Sequence, residues 1–572
     1  MRGKEIVTLI MLLWAASASA RSHEDIEKIL KFTGYETEEE LSESEVERFQ
    51  DWLDRPIRIN TTGIGRLRSC GLFSPFQAAS LIDYRTRHGD IMSLNELASI
   101  DGFTKEKVAV LAPFISLEGG SPAYGGNVRG FCDVTIKGGI RQDGASYGFK
   151  IKGGTGSSFT YGLGVSRPYS AGSALPESFS GYIGWESSSV PLRLIAGNFN
   201  LRFGQGLTLW NGMSMGGLSK PSSFHKSGTG LSSSYSFTGS SSFKGIAGEY
   251  SISRWRLTSA IIIPDIAPEE LSVLPAFNLG WFGRNMTMSA THYMEFERSA
   301  RGTHIPDMKT SADVAACVDG TDIFCEIAFD WASAKAAALG GCTFPTWEDT
   351  RMAVHLRYYP ASYTPTYSSA ARSGSRCSNE LGASYSMEIA QVSGIHGGSL
   401  SLDAAYFPES KGEVAHSAQL KVVADWTLQP SDKILIKLRV SERFRTWEAS
   451  RFKTDIRADF SWTGDRFCIS SRLNIVRHVK IGFLGYVEGG YKREKVSVYL
   501  KGGIYLIDEW ADRIYSYERS GPGNFSVPAF HGRGIWASLY SSWKFTSWGK
   551  TYVIGTVKPG KAELKLQLIL SF

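Results

Sequence analysis

Nowhere in this chain does a run of about eighteen uninterrupted apolar residues occur, which excludes membrane-spanning helices. Cysteine is sparse. Its seven residues, Cys70, Cys132, Cys317, Cys325, Cys342, Cys377 and Cys468, are scattered and never spaced C-x-x-C. Zinc sites and redox pairs need close spacing, and a disulfide framework needs a denser set. They read as isolated small apolar residues, with one bridge among Cys317, Cys325 and Cys342 left open. The ten histidines are equally dispersed, and H-E-x-x-H is absent. So is G-x-S-x-G. Gly204-Gln205-Gly206 is too short and isolated for a nucleotide loop; glycines in such a place mark a bend or a close backbone contact. These absences argue against an enzyme, and neither cofactor nor metal is expected.

What the chain does have is alternation, clearest at its end. Residues 562–572 read A-E-L-K-L-Q-L-I-L-S-F. Leu564, Leu566, Leu568, Leu570 and Phe572 fall on one face of a strand, and Glu563, Lys565 and Gln567 on the other. A terminal strand with an apolar face and an aromatic last residue resembles the assembly signal of outer-membrane β-barrels. That resemblance implies insertion into outer-membrane lipid by the barrel assembly machinery.

The other end carries an export pattern. Arg2 and Lys4 precede the apolar stretch Ile6 to Trp14, and Ala18-Ser19-Ala20 offers an A-x-A cleavage site. A signal peptide is therefore expected over residues 1–20. Residues 21–55 are acidic and helical in period, with Ile26, Ile29, Leu30, Val46, Phe49, Trp52 and Leu53 recurring at helix spacing. Ser42 and Glu45 suit a capping box. A second compact unit spans 56–117. Residues 118–130 (EGGSPAYGGNVRG) read as a Gly-rich linker.

From residue 131 to 572 no long helical period survives. Runs of about ten alternating residues are separated by turns, the pattern of a transmembrane barrel. Phe159, Tyr161, Leu163 and Val165 alternate with Ser158, Thr160, Gly162 and Gly164, and Ile434, Ile436, Leu438 and Val440 with Leu435, Lys437, Arg439 and Ser441. Asp143-Gly144, Asp319-Gly320 and Gly464-Asp465 are hairpin turns by composition. At about eighteen residues per strand and connection, 131–572 accommodates about 24 strands, within roughly 22 to 26. Irregular stretches near 211–228, 298–310, 360–378 and 507–529 are expected to be outer loops. The fold class is mainly β: a large closed antiparallel barrel after a small all-α domain. An even strand count places both barrel ends on one side, so the helical domain is expected in the periplasm.

The unit 60–117 carries Asn60-Thr61, Ile82-Asp83-Tyr84-Arg85, His88-Gly89, Leu94-x-x-Leu97-x-x-Ile100-Asp101-Gly102 and Leu111-x-Pro113-Phe114-Ile115. In order and spacing this string resembles the tandem helix-hairpin-helix domain of competence-type DNA receptors. Its hairpins correspond to Leu72-Phe73-Ser74 and Gly102-Phe103-Thr104. Such hairpins hold a phosphate on backbone N–H groups and need glycines to do so. Here the first lacks both and the second keeps one. The acidic lead also works against duplex binding, which rests on neutralised phosphates. The combination of signal peptide, acidic lead, this helical unit and a large barrel, with the segments 197–212 (GNFNLRFGQGLTLWNG) and 514–534, is similar to an outer-membrane family of Bacteroidota. The resemblance implies architecture and location.

Two functions fit. The first is an outer-membrane channel or transport component, or scaffold, whose periplasmic helical module docks a partner protein; an excess of basic residues after 117, if lumenal, would favour anionic solutes. The second is a DNA-uptake component with the hairpin unit as receptor, which the hairpins and the charge disfavour.

Overall fold

The computed structural model describes the chain apart from residues 1–21, 34–40, 42, 55, 64–66, 68–69, 119–129, 156–157, 188–189, 213–219, 227, 238–241, 265–270, 284, 300–301, 348–349, 393–395, 412, 494 and 525. The export segment, Ser42 of the expected capping box and most of the Gly-rich linker lie outside the described residues.

Among the described residues, five helices precede the barrel strands: α1 (Ser22–Thr33), α2 (Glu43–Asp54), α3 (Pro75–His88), α4 (Leu94–Leu97) and α5 (Lys105–Leu111). None is long and apolar enough to cross a membrane. They share one core. Ile26, Ile29, Leu30, Val46 and Phe49 of the acidic lead are buried in the same cluster as Leu81, Leu97, Val108 and Phe114. Phe32, Phe49 and Phe114 meet at its centre, with ring centroids 5.1–5.9 Å apart. Asn60 closes the unit. Its amide donates to the carbonyls of Ile91 and Leu117, and its carbonyl accepts from Ile91 N. A two-residue parallel pairing of Ile57–Arg58 with Ile115–Ser116 adds to that closure.

The remaining strands form one closed antiparallel barrel. Twenty-four of them cross; the short strand Gly230–Ser233 pairs beside them on Leu192–Arg202, which itself also pairs directly with Phe243–Ile252. Closure joins the last strand, Lys561–Ser571, to the first, Gly130–Arg141, in the register Glu563↔Arg141 to Ser571↔Asp133. At one end the connections run two to five residues. At the other they include 203–242, 360–379 and 508–531. The first strand begins, and the last one ends, at the short-turn end.

The hairpin at Asp319-Gly320 has φ of 49° and 78°, as a type I′ turn requires. All seven cysteines are free, so the bridge left open among Cys317, Cys325 and Cys342 does not form. One expected loop is not a loop. Residues 298–310 belong mostly to the strands Met286–Ser299 and Gly302–Val318, with only two residues between them. These strands run 14 and 17 residues, more than the about ten needed to cross. Their excess lengthens the wall at the long-loop end, where Gly302 and Pro306 give a strand the composition of a loop.

Candidate functional site

Residues 72–74 lead into α3 and residues 102–104 into α5, and neither segment leaves an open phosphate site. Ser74 caps α3, accepting from Gln77 N while Gln77 accepts from Ser74 N. Thr104 caps α5 through Lys107 N. Between the hairpins Phe73 and Phe103 meet edge to face at 6.2 Å, and Leu72, Phe73 and Phe103 are all buried. The positive φ of the first hairpin falls on Gly71, at 78°, one residue before the expected triplet, so the first hairpin does use a glycine. Leu72 is thereby released from that role and turns into the core. Neither glycine faces open space. A Cβ on Gly102 would lie 2.7 Å from the Phe76 ring, and one on Gly71 3.2 Å from Thr229 of the barrel.

That contact points to the lumen, which three long loops enter from the long-loop end. Each is held by a buried polar group. In loop 203–242, Gly204-Gln205-Gly206 wraps a carboxylate: Gln205 N and Leu207 N donate to Oε2 of Glu326 at 2.7 and 3.1 Å. Gly204 and Gly206 have φ of 56° and 89°. A Cβ on Gly204 would stand 2.8 Å from that carboxylate. The glycines read from sequence as a bend or close backbone contact here shape a nest of N–H groups around a strand side chain. In loop 360–379, Ser373 N and Gly374 N donate to Glu380, which also pairs with Arg357; the Arg357 side chain is 0% exposed. Tyr363 and Ser368 tie this loop to the carbonyls of Leu207 and Gly206 in the first loop.

Loop 508–531 is the most heavily anchored. Asp512 accepts the backbone N–H groups of His478, Val479 and Lys480 at 2.8–3.0 Å. Glu518 accepts from Trp536 and Ser538 on the wall. Lys501 donates to the Tyr517 carbonyl at 2.7 Å. Asn524 and Pro522 both bond Gln567 at mid-strand. The helical unit closes on these loops. Tyr517 belongs to its buried core, Val527 packs against that core, and Gln50 accepts from Gly523 N. Lys107 of α5 lies within electrostatic reach of Asp322 and Arg351, which flank two of the short turns. The unit therefore spans from the short-turn end to the inward loops.

One arc of the wall is treated differently. On Ser417–Ser431, Ile434–Arg445 and Phe452–Thr463 many of the lumen-facing residues are only partly covered, although Ser417, Gln419 and Val423 are buried. Lys421, Arg443 and Lys453 stand side by side in register across the three strands, and Arg439 stands beside Arg457 two rungs further in. Asp425 lies 3.5 Å from Arg439, and Asp459 bridges Arg457 at 2.5 Å and Arg472 at 2.7 Å. At the long-loop end Glu448 pairs with Arg443 at 2.8 Å and Arg445 at 2.7 Å. Burial pushes the Glu448 carboxyl up, but Arg445, Arg443 and His478 more than offset this and hold it below its ordinary value. Among the described residues no group of three or more His, Cys, Asp and Glu side chains could hold a metal ion.

The outer face completes the picture. Leu420, Trp426, Leu438, Val440, Ile456 and Leu473 of these same strands and their neighbour point outward and are exposed, as are Ile140, Leu500, Ile535, Leu564 and Leu566 elsewhere. A closed wall with an apolar exterior has its backbone groups paired internally and presents hydrocarbon to lipid. The fold is that of a large outer-membrane β-barrel.

No family model matches the chain, and no curated protein does. Among solved structures, the translocation pore of the P pilus usher PapC aligns at 11% identity over 77% of this chain and 99% of that one, with a TM-score of 0.39. The siderophore receptor PirA from Pseudomonas aeruginosa aligns at 9% identity over 78% and 80%, at 0.40. The copper transporter OprC aligns at 10% over 77% and 80%, at 0.38.

In the terminal strand, Leu564 and Leu566 face outward while Glu563 pairs with Arg141 at 2.8 Å and Gln567 is buried. Phe572 exchanges two backbone hydrogen bonds with Cys132 and stacks on Trp548 at 5.7 Å. The loop keys and the cationic arc escaped sequence reasoning. Lys437 and Arg439 stood in a recognised alternation, but their neighbours across the sheet emerge only from register. The two barrel segments that carried the family resemblance, 197–212 and 514–534, contain parts of two of the three inward loops.

Proposed function

We propose that this protein is a gated outer-membrane channel or transport component. The barrel wall is the pore, the inward loops and the helical unit obstruct it, and the partly exposed arc on 417–463 is the solute path. The observation that carries this reading is the contrast in coverage around one lumen. Arg357 under loop 360–379 is 0% exposed, whereas Arg443 on the arc is 24% exposed. A purely structural filling would cover the wall alike on all sides, since leaving charged groups half solvated inside a barrel gains no packing.

In this reading the helical unit sits at the periplasmic end, entering the lumen from there. It keeps the helix-hairpin-helix pattern as a scaffold that docks a periplasmic partner. The DNA-uptake alternative is weaker, because Gly71 abuts Thr229 and Gly102 abuts Phe76, which leaves no phosphate nest open. Labelled duplex DNA should show no submicromolar binding to the full chain at about 0.15 M salt in fluorescence anisotropy, and a steep salt slope there would restore that alternative. The channel reading is tested by refolding the full chain into planar bilayers. Discrete conductance steps are expected, larger and more frequent in Arg519→Ala, which removes the ion pair between Arg519 of loop 508–531 and Glu488 of the wall. Silence in both proteins would sink the reading.

A further inference from the structure

The register of the arc places like charges where a folded sheet avoids them. Residues directly opposite on antiparallel strands have Cβ atoms about 4.5–5.5 Å apart, and like charges there are destabilising. Lys421 is opposite Arg443, and Arg443 is opposite Lys453, so three cations share one rung, which Asp403 ends opposite Lys421 and where Lys453 also donates to the Ala511 carbonyl. On a second rung Arg439 is opposite Arg457 on one side and Asp425 on the other. The two rungs are four residues apart along each strand, about 13 Å at strand rise. Lys437 continues the line one rung inward, opposite Thr427 and Asp459. Asp425, Asp455 and Asp459 are the wall carboxylates interleaved on the same face, fewer than the cations.

The outer approach is built consistently with this. Arg443 and Arg445 converge on Glu448, which stands in the loop 446–451 above the first rung. A carboxylate there satisfies two guanidinium groups in the absence of any other anion, and a solute with its own oxyanion could exchange for it. Guanidinium forks match carboxylate and phosphate oxygens in geometry, and ammonium groups add point charge.

Resting on the channel reading above, we infer that the arc is a stepped path for small oxyanionic solutes, of the phosphate or phosphorylated-metabolite class. The first stop is the rung Lys421–Arg443–Lys453. The second is Arg439–Arg457. Glu448 is the resident counter-charge that a solute displaces on entry. Charges of one sign on a low-dielectric wall concentrate counter-ions and set selectivity.

The test is reversal potential in planar bilayers holding the refolded full chain across a potassium chloride gradient, with Arg519→Ala as a second, more open background. Chloride should be more permeant than potassium. Inorganic phosphate at millimolar concentration should reduce the chloride current. Arg443→Glu with Lys453→Glu should bring the permeability ratio below one, and Arg439→Gln should weaken the phosphate block at least several-fold. Conductance that favours potassium, or a ratio unmoved by the rung variants, overturns the oxyanion path while leaving the channel reading intact. Absence of conductance in both backgrounds overturns the channel reading, and this inference with it.

Discussion

Arg519, on the loop that enters the lumen, places its Nε 2.9 and 3.0 Å from the two carboxylate oxygens of Glu488 on the barrel wall. Both side chains are 7% exposed, and Tyr499 lies under the guanidinium with its ring 3.7 Å from Cζ. Removing one partner of such a pair strands a buried charge, at about 3–5 kcal/mol, whereas replacing both by apolar groups is far milder. Arg519→Ala should lower the urea midpoint of the refolded protein and expose loop 508–531 to protease. Arg519→Met combined with Glu488→Leu should recover most of the loss. Equal damage in single and double variants would mean that the pair does not anchor the loop.

The grip on Glu326 gives a second expectation. Gly204→Ala must accept a φ of 56° and set a Cβ 2.8 Å from the Glu326 carboxylate. A non-glycine residue held in this region costs about 1–3 kcal/mol. Loop 203–242 should become cleavable by protease, while Gly489→Ala, which meets nothing within 4 Å, should leave cleavage unchanged. Matching behaviour of the two variants would remove the nest from the account.

Glu448 fixes the sign of a pH dependence. Its carboxyl is held below the ordinary value by Arg445, Arg443 and His478, so the unfolded chain takes up its proton first as pH falls. The stability it contributes is complete above the ordinary carboxylate range and is lost as pH drops through the depressed folded value. Urea midpoints should therefore decline on the acid side, and Glu448→Gln should flatten that part of the decline while lowering the plateau at neutral pH. An acid limb identical in both proteins would assign the effect to other groups.

The seam carries the fourth prediction. Phe572 pairs its backbone with Cys132 and its ring with Trp548, and Leu566 is 49% exposed on the outer face. An open seam leaves an unpaired strand edge in lipid. Deleting Phe572 should lower the folded fraction recovered in the outer membrane, and Leu566→Arg should lower it further, since a basic side chain at mid-depth costs about 2–4 kcal/mol. The gel-mobility shift on heating reads the folded fraction. Wild-type yields for both variants would dissociate this strand from assembly.

Much of this molecule is local and was legible as such. The alternation of Leu564, Leu566 and Leu568 against Glu563, Lys565 and Gln567 defines a strand with two faces, because side chains alternate whatever the neighbours are. Asp319-Gly320 defines a hairpin because few other pairs adopt two positive φ values. Ser74 and Thr104, read from sequence only as hairpin residues, cap α3 and α5 because their oxygens satisfy amide groups that a helix leaves unpaired. The tertiary structure alone decided the rest. Whether a long loop turns outward or into the lumen depends on a partner far away in sequence: Glu326 for Gln205, Glu488 for Arg519, Gln567 for Asn524. The rung of Lys421, Arg443 and Lys453 depends on the register of three strands. A shift of one residue would send one of those cations to the lipid face. Periodicity along a strand determines which face a residue takes. Which charge it faces is settled only by the closed sheet, where every register is constrained by the seam between Glu563 and Arg141.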